Sequence, residues 1–452
     1  AVVGGIDILQ LTATSNIGLG ANAVDSITTG DYNVGLGDNA GTAITEGSNN
    51  IAVGQGAAMA LTTGDDNVAV GYTSLRNNTT ADGNVAIGRN ALEANTTGTH
   101  NSAFGYTALD ANTTGEDNVA VGYLALDANT TANFNTAIGS TSLSANTTGT
   151  QNTGVGYISL SLNTTGNYNS AFGVGSLKVN TTGANNQALG FGALTDNTEG
   201  DNNTAVGYLS LGDNTTADNN TAVGYNALRV NTTGTRNVAV GHTTLDANTT
   251  GNYNVAVGNN TLGANTTGSE NSAFGDWALY SNTTGANNVA LGQSALGANT
   301  TAANNTAVGK SALSVNTTGA SNSAFGYLSL GDNTTGASNV GCGIYTLTAN
   351  TTGDFNTASG YNALGGNSTA DNNSAFGYRT LQSNTTGASN TGIGYQALFV
   401  NTTGSSNVAM GAYSLAANTT GAQNTALGYK SMQYGTTGSD SVGIGMFSLR
   451  YN

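Results

Sequence analysis

The chain has 452 residues, of which 38% are hydrophobic and only 8% charged, and no run approaches the ~18 apolar residues of a membrane-spanning helix. Nine Lys and Arg against 25 Asp and Glu give a net charge of -16, the wrong sign for binding a phosphate backbone. One cysteine and two distant histidines exclude an intrachain disulfide framework and a zinc site based on Cys or a His cluster. We expect no nucleic-acid partner, no membrane insertion of this segment and no cofactor.

A 17-residue repeat organises almost the whole sequence. From Asn16 an Asn returns every 17 residues as far as Asn424, and Ser441 takes the last place, which makes 26 coils without an insertion or deletion. Numbered from this Asn as repeat position 1, a coil reads N-x-A-φ-G-Y-x-A-L-x-A-N-T-T-G-x-N, where φ is Val, Phe, Ile or Leu. Such periodicity predicts a repeat architecture. We expect one continuous domain over residues 16–452.

The N-terminal end departs from this pattern. Residues 1–15 fit the register as a degenerate coil, with Val3 and Gly4 in the apolar-Gly positions and Ile8 in the Leu position. In the first three coils, residues 16–66, position 12 is apolar instead of Asn. The residues there are Ile27, Ile44 and Leu61. Terminal repeats are often atypical, so we expect this end to be built differently from the rest.

Glycine marks two corners of each coil. Position 5 is Gly in all 26 coils, as at Gly71, Gly88, Gly105 and Gly224, and position 15 is Gly or, in five coils, Ala. Gly at a fixed place is what a positive φ or a close backbone approach requires. The segments between the corners, N-x-A-φ and x-A-L-x-A, are short with period-2 character, which predicts strands.

These features predict an all-β fold, a parallel β-solenoid with 17 residues per coil and about 26 coils. A helical hairpin repeat needs about 33 residues, so the repeat is too short for one. Each strand would pair with its copy one coil away. At roughly 4.8 Å per strand, the coils would form a rod on the order of 120 Å long.

Two repeat positions are predicted to form the core. Position 9 is Leu in every coil from Leu75 to Leu449 except at Met432, and position 4 is almost always apolar, with Cys342 among its members. The predicted core residues include Val70, Leu75, Phe104, Leu109, Val121, Leu126 and Leu228. Positions 3 and 5, which are small, would then point outward. Because small residues invite close packing, we expect another copy of the chain on that face, most simply in a homotrimer.

Position 12 is Asn in every coil from Asn78 to Asn418, nearly always followed by Thr-Thr. Stacked coils would align these residues into hydrogen-bonded ladders, represented by Asn95, Asn112 and Asn129. The same N-T-T letters form the acceptor pattern for N-glycosylation. Repeated Thr could also match ice, although adjacent Thr residues on a strand point in opposite directions and only one per coil could face it.

Two stretches resemble known families. The sequence NVAVGYTS of Asn67–Ser74 resembles the N/S-x-A-I/V-G-x-x-A/S motif of YadA-like heads in trimeric autotransporter adhesins. The sequence NTAVGYNALRVNTTG of Asn220–Gly234 is similar to repeats of phage and bacterial tail-fibre-type proteins that carry a C-terminal self-cleaving chaperone domain. The resemblance covers nearly the whole chain and implies a left-handed β-roll wound as a homotrimer, exposed on a cell or virion surface and used for attachment. Because adhesin coils are usually shorter than 17 residues, corner details do not transfer.

Few residues break the repeat in a way that indicates a site. Glu93, Asp110 and Asp127 occupy position 10 of three successive coils, where like charges either raise each other's pKa or share a cation such as Ca²⁺. We favour a solvated acidic face, eased by Arg76, and expect no metal site, with these three residues as weak candidates. Carboxylate pairs at a glycosidase spacing would need a groove wall, and no insertion provides one. We expect no catalytic residue.

Aromatic residues recur at position 6, where Tyr stands in eleven coils. The rings could pack on one another or form a strip on which saccharides stack. Aromatic residues at variable positions make the C-terminal half more aromatic. They are Trp277, Tyr280, Tyr345, Phe399, Tyr413 and Phe447.

Together these features predict a non-catalytic structural segment, a rigid extracellular rod of a tail fibre or trimeric adhesin that mediates attachment. Its partners would be itself and a cell-surface receptor or polysaccharide. The alternatives are an ice-binding solenoid and an extracellular filament subunit that stacks head to tail. Because both ends of the sequence cut through a repeat, we expect the rod to continue beyond them.

Overall fold

The computed structural model describes residues 15–451 and, before them, the backbone of three two-residue strands. From Ile17 onward one three-residue strand occurs in each coil, at repeat positions 2–4. In chain order the strands β1 to β29 are Val2–Val3, Ile6–Asp7, Gln10–Leu11, Ile17–Leu19, Val34–Leu36, Ile51–Val53, Val68–Val70, Val85–Ile87, Ser102–Phe104, Val119–Val121, Thr136–Ile138, Thr153–Val155, Ser170–Phe172, Gln187–Leu189, Thr204–Val206, Thr221–Val223, Val238–Val240, Val255–Val257, Ser272–Phe274, Val289–Leu291, Thr306–Val308, Ser323–Phe325, Val340–Cys342, Thr357–Ser359, Ser374–Phe376, Thr391–Ile393, Val408–Met410, Thr425–Leu427 and Val442–Ile444. Within the described part of the chain, no helix is long and apolar enough to cross a membrane.

The chain divides into two compact units, Ala1–Val223 and Gly224–Asn452. In the first unit β4 to β16 pair in parallel, each with the next, so that Ala120 lies beside Ala137. In the second unit β17 to β29 pair in the same way, and Ala239 lies beside Ala256. Each unit is therefore an all-β parallel β-solenoid with 17 residues per coil, which confirms the predicted fold class.

The N-terminal segment does not pair as a solenoid coil. Strand β1 pairs antiparallel with β2, and β3 pairs antiparallel with β4, placing Leu11 opposite Ile17. A degenerate coil would instead run parallel to β4, so this prediction for residues 1–15 is wrong where the backbone is described. Gly4 and Ile8 lie outside the described residues. An antiparallel strand satisfies hydrogen-bonding groups at the first edge of the sheet, which would otherwise be unpaired.

From β4 onward each strand buries its middle residue and leaves its last residue exposed or half-buried. In β9 Ala103 is fully buried while Phe104 is 39% exposed, and in β10 Ala120 is buried while Val121 is 36% exposed. Val70 is half-buried. The prediction that Val70, Phe104 and Val121 form the core of a coil is therefore wrong for the single chain. Cys342, predicted to be buried at the same repeat position, is also exposed.

The reason is that strand residues alternate between faces and the inner face has little room. A Cβ atom at Gly392, a position 3 residue, would lie 2.6 Å from Thr380 Cγ2 and 3.4 Å from Leu381 Cδ1. Position 3 therefore packs against positions 8 and 9 of its own solenoid. Only Ala or Gly fits there, and the small face predicted to contact another chain lies inside the coil.

Positions 6–11 form turns rather than the predicted second strand. Thr107 and Leu109 have φ of 50° and 56°, the left-handed region that bulky residues seldom occupy. Their backbones still bond to neighbouring coils, since Leu109 N–H donates to Ala125 O at 2.9 Å. This conformation turns Leu inward. The predicted core residues Leu75, Leu109, Leu126 and Leu228 are all fully buried.

Two ladders of buried Asn side chains complete the interior. At position 12, Asn112 Nδ2 donates to Asn95 Oδ1 at 2.8 Å and to Gly115 O at 3.0 Å, and Asn129 Nδ2 continues the ladder to Asn112 Oδ1. At position 1, Asn101 Nδ2 donates to the same Gly115 O at 2.8 Å. The position 12 ladder was predicted, whereas the burial of the position 1 Asn was not.

The two glycine corners have different causes. Gly105, at position 5, has a φ of 145°, and a Cβ atom there would collide with the Gly122 carbonyl of the next coil. Gly71, Gly88 and Gly224 share this geometry. Position 15 has ordinary φ values, but there too the next coil's carbonyl lies close, as at Gly98. Only position 5 combines both constraints, and only position 5 is Gly without exception.

Candidate functional site

A stripe of apolar side chains lies exposed along the strand face of each unit. We call the position 4 residues of β4 to β29 the strand-face stripe. Because the strands pair in register, Phe104 lies next to Val121 and Phe325 next to Cys342. The exposed large members are Leu19, Ile87, Phe104, Val121, Ile138, Phe172 and Leu189 in the first unit and Phe274, Leu291, Phe325, Phe376, Ile393, Met410 and Ile444 in the second. Because exposed apolar patches can mark interaction sites, the stripe is a candidate for one.

The acidic residues of position 10 form a line rather than a metal cluster. Arg76 Nη1 lies 3.4 Å from Glu93 Oε1, so the first carboxylate is paired. Burial, followed by the charges of Glu93 and Asp127, raises the pKa of Asp110 from 3.8 to about 6. Burial also raises the pKa of Asp127. Among the described residues, no group of three or more His, Cys, Asp or Glu is arranged to hold a metal ion.

Glu93, Asp110 and Asp127, the weak candidates for a shared cation, are therefore not gathered around one point in this structure. Each coil supplies only one of these carboxylates, so the charges follow one another along the sheet instead of surrounding a point. A calcium site needs six to eight oxygen ligands around one ion. The other expectation for these residues was that like charges raise each other's pKa. At Asp110, in addition to burial, the charges of Glu93 and Asp127 do so.

The N-T-T segments are occupied by internal hydrogen bonds. Asn95 is fully buried, and its Nδ2 donates to Gly98 O at 2.9 Å. The next residue, Thr96, donates from Oγ1 to Thr113 O at 3.0 Å, and only Thr97 is exposed. The amide nitrogen that glycosylation would modify is thus engaged in the interior. A single Thr per coil, at position 14, forms the exposed array.

An aromatic ladder runs over eight successive coils of the second unit. Its rings have centroids 5.2–6.5 Å from one to the next. The members are Tyr327, Tyr345, Tyr361, Tyr378, Tyr395, Tyr413, Tyr429 and Phe447. Tyr361, Tyr378 and Tyr395 stack with interplanar angles of 14° and 7°, so Tyr378 has a ring against each of its faces. These rings pack on one another, which leaves fewer faces for a ligand.

A different aromatic pair stands apart from the ladder. Trp277 and Tyr280 come from a single coil, with ring centroids 4.5 Å apart and planes inclined by 56°. They border a surface depression of about 270 Å³ that extends over the next two coils. No other coil has Trp at position 7.

No protein-family model matches this sequence, and no curated protein matches it either.

Proposed function

We propose that this chain is a non-catalytic structural segment of an extracellular fibre or adhesin and that three copies assemble through the strand-face stripe. The observation behind this proposal is the apolar residue that nearly every strand carries at position 4, which is exposed in more than half of the strands and half-buried in the others. Covering such a side chain contributes about 25 cal/mol per Å² of apolar area. The contribution is small for one coil but repeats along each unit.

The spacing of the stripe favours another copy of the same chain as the partner. A partner must match one apolar residue per coil, at the strand separation, over many coils. A second copy has the same repeat and the same strand separation, so its stripe satisfies this requirement without further design. Homo-oligomers with closed symmetry are the commonest solution. The interface proposed here is position 4, not the Ala and Gly positions first expected.

The resemblance of Asn67–Ser74 to adhesin heads supports the trimer, the surface location and the attachment role. A chain in which only 8% of the residues are charged suits contact with a receptor or polysaccharide. An ice-binding role is less well supported, because the first Thr of the Thr-Thr pair, at position 13, donates its hydroxyl to a backbone carbonyl of the next coil.

The unique thiol of Cys342 lies in the stripe and provides a direct test. We expect native mass measurement to give a trimer, in which a bulky maleimide reacts with Cys342 slowly until the protein is unfolded. The matched control replaces Cys342 with Ser and places the thiol at Thr335→Cys, an exposed position 14 site, where labelling should be fast. A folded monomer in which both thiols react equally fast would contradict the proposal.

A second variant separates assembly from folding. Phe325→Ser and Phe376→Ser together should weaken the trimer while leaving each coil folded, because β24 already carries Ser359 at this position. The mass should shift toward monomer with an unchanged circular dichroism spectrum. An unaltered trimer would place the interface elsewhere.

A further inference from the structure

The coil of Asn271–Asn287 carries large aromatic residues at two variable positions of the repeat, and the two rings lie together in space. Trp277 stands at position 7 and Tyr280 at position 10, and both rings reach the surface, with 42% and 36% of each residue exposed. The coils on either side have Gly263 and Gly297 at position 10, where other coils carry side chains as large as Arg76 or Phe399. Tyr280 therefore lies between two coils that have no side chain at position 10.

The flanking glycines shape the depression. A Cβ atom built on Gly263 would lie 3.2 Å from Tyr280 Cε2, so the Tyr ring rests against the backbone of the preceding coil. On the other side Gly297 leaves open the space that a position 10 side chain would fill. The resulting notch of about 270 Å³ is lined by Trp277, Tyr280, Ser281, Ser294, Gly297 and Ser314, with Ala298 at its edge. We call it the Trp277 notch.

The lining indicates the chemistry of a ligand. Two inclined aromatic rings offer apolar walls to the C–H faces of a flat ring. The hydroxyls of Ser281 and Ser294 can each donate and accept a hydrogen bond, and that of Ser314, which donates to Gly331 O, can still accept one. No charged side chain lines the notch, so a phosphate or carboxylate would lack a counter-charge. A purely apolar ligand would leave the hydroxyls without partners. The volume lies just below the ~300 Å³ lower end for small-molecule pockets, enough for one sugar ring.

We propose that the Trp277 notch binds one pyranose ring of a neutral saccharide. This inference goes beyond the proposed fibre role and does not depend on trimer formation, since every lining residue belongs to one chain. The lining residues occupy repeat positions 7, 10 and 11, whereas the strand-face stripe occupies position 4. The notch also differs from the aromatic ladder, in which stacked Tyr rings cover one another.

The chain has one tryptophan, so its intrinsic fluorescence reports directly on the notch. The probes are the methyl glycosides of glucose, galactose, mannose and N-acetylglucosamine, and the disaccharides cellobiose and lactose. We expect at least one probe to change the Trp277 emission saturably, with a Kd in the millimolar range. Such weak binding is typical of a shallow site for one ring.

The decisive variant fills the notch without altering its aromatic walls. Gly297→Leu should weaken binding of that probe at least tenfold. Gly212→Leu is the matched control, because Gly212 also stands at position 10, has the same 3.3 Å approach of a carbonyl oxygen to its Cβ site and does not line the notch. Its binding should equal that of the wild type. Circular dichroism of both variants shows whether the coils remain folded.

A second measurement, saturation-transfer NMR, allows Trp277→Ala to be tested as well. We expect the transfer to the sugar protons to be lost in Trp277→Ala and Gly297→Leu and kept in Gly212→Leu. The proposal is overturned if no probe gives a saturable change by either method, or if Gly297→Leu binds as well as the wild type. Neither result would bear on the trimer, which is measured by mass and by thiol protection.

Discussion

Within the first compact unit, the early coils and the later coils fill the same interior space with large side chains from different repeat positions. In the coils that begin at Asn33 and Asn50, position 9 holds Gly41 or Ala58, and position 12 holds a large aliphatic residue that is fully buried. Those residues are Ile44 and Leu61. From Leu75 onward position 9 holds the large residue and position 12 holds Asn.

The two arrangements use one space. A Cβ atom at Gly41 would lie 2.9 Å from Ile44 Cδ1, so the position 12 side chain reaches the place where Leu109 lies in a later coil. Gly41 and Ala58 also keep the left-handed φ of the Leu residues, at 62° and 48°. The backbone is therefore common to both regions. Each coil needs one large aliphatic side chain, and supplying it from position 9 leaves position 12 free for the Asn ladder.

The largest effect should appear where the two regions do not differ. Gly37→Val in an early coil and Gly105→Val in a later one each place a branched side chain at a φ of 130° or more, against the next coil's backbone. We expect both to destabilise their coils by more than about 4 kcal/mol. Hydrogen exchange would show local loss of protection. If only one region responds, the corners are not equivalent.

The interior exchange itself can be tested at the boundary between the regions. Leu75→Ala alone should cost about 2–5 kcal/mol, and Asn78→Leu alone should overpack the coil at a cost of about 1–3 kcal/mol. The double variant reproduces the Ala58 and Leu61 pattern of the preceding coil. We expect it to be more stable than the sum of the two changes by at least about 1 kcal/mol, measured by a double-mutant cycle in urea. Additive effects would show that the two positions do not share a space.

The same exchange made inside the ladder should be compensated less well. Asn112 bonds to Asn95 and to Asn129, so Leu109→Ala with Asn112→Leu removes a rung between two others. We expect this double variant to be about 1–3 kcal/mol less stable than the double variant of Leu75 and Asn78, because the buried amide groups of the neighbouring Asn residues lose their partners. Urea unfolding of both double variants makes the comparison. Equal stabilities would mean that the ladder contributes little.

The smallest effect should come from position 10, where Glu93, Asp110 and Asp127 stand in three of the later coils. The pKa of Asp110 is raised to about 6 in the folded chain, mainly by burial, so the folded state binds this proton more tightly than the unfolded state does. The stabilisation of the folded state by this bound proton is complete below about pH 3.8 and is lost as the pH rises through about 6. Asp110→Asn should therefore raise the melting temperature at pH 7 and give little change at pH 4. Equal shifts at both pH values would contradict this cause.

Repeat length, coil number and the position 5 corner can be predicted from sequence because every coil repeats the same constraint. The facing of the strand cannot be predicted in that way. A strand of three residues offers one residue on one side and two on the other, so Ala103 and Phe104 show no periodicity to interpret. The informative signal was size, since position 3 never exceeds Ala.

Two features of the interior lie beyond pattern reading for physical reasons. A left-handed φ at Leu109 contradicts the intrinsic preference of Leu, and it is imposed by contacts with neighbouring coils. The buried Asn at position 1 was indicated by its recurrence from Asn16 to Asn424, which a solvent-exposed residue would not need. Trp277 and Tyr280 are visible in the sequence as large aromatic residues at variable positions. The notch appears only when the structure places Gly263 and Gly297 in the coils on either side of Tyr280.

The constant register has a mechanical consequence. Within each unit, every strand from β5 onward pairs only with strands 17 residues away in sequence. A force that separates an end coil therefore breaks one set of bonds and releases one repeat of chain before it meets the next set. At roughly 3.4 Å per extended residue, each step would lengthen the molecule by on the order of 50 Å. Under tension such a solenoid would unfold in equal, successive steps. Each step would dissipate energy while the remaining coils stay folded.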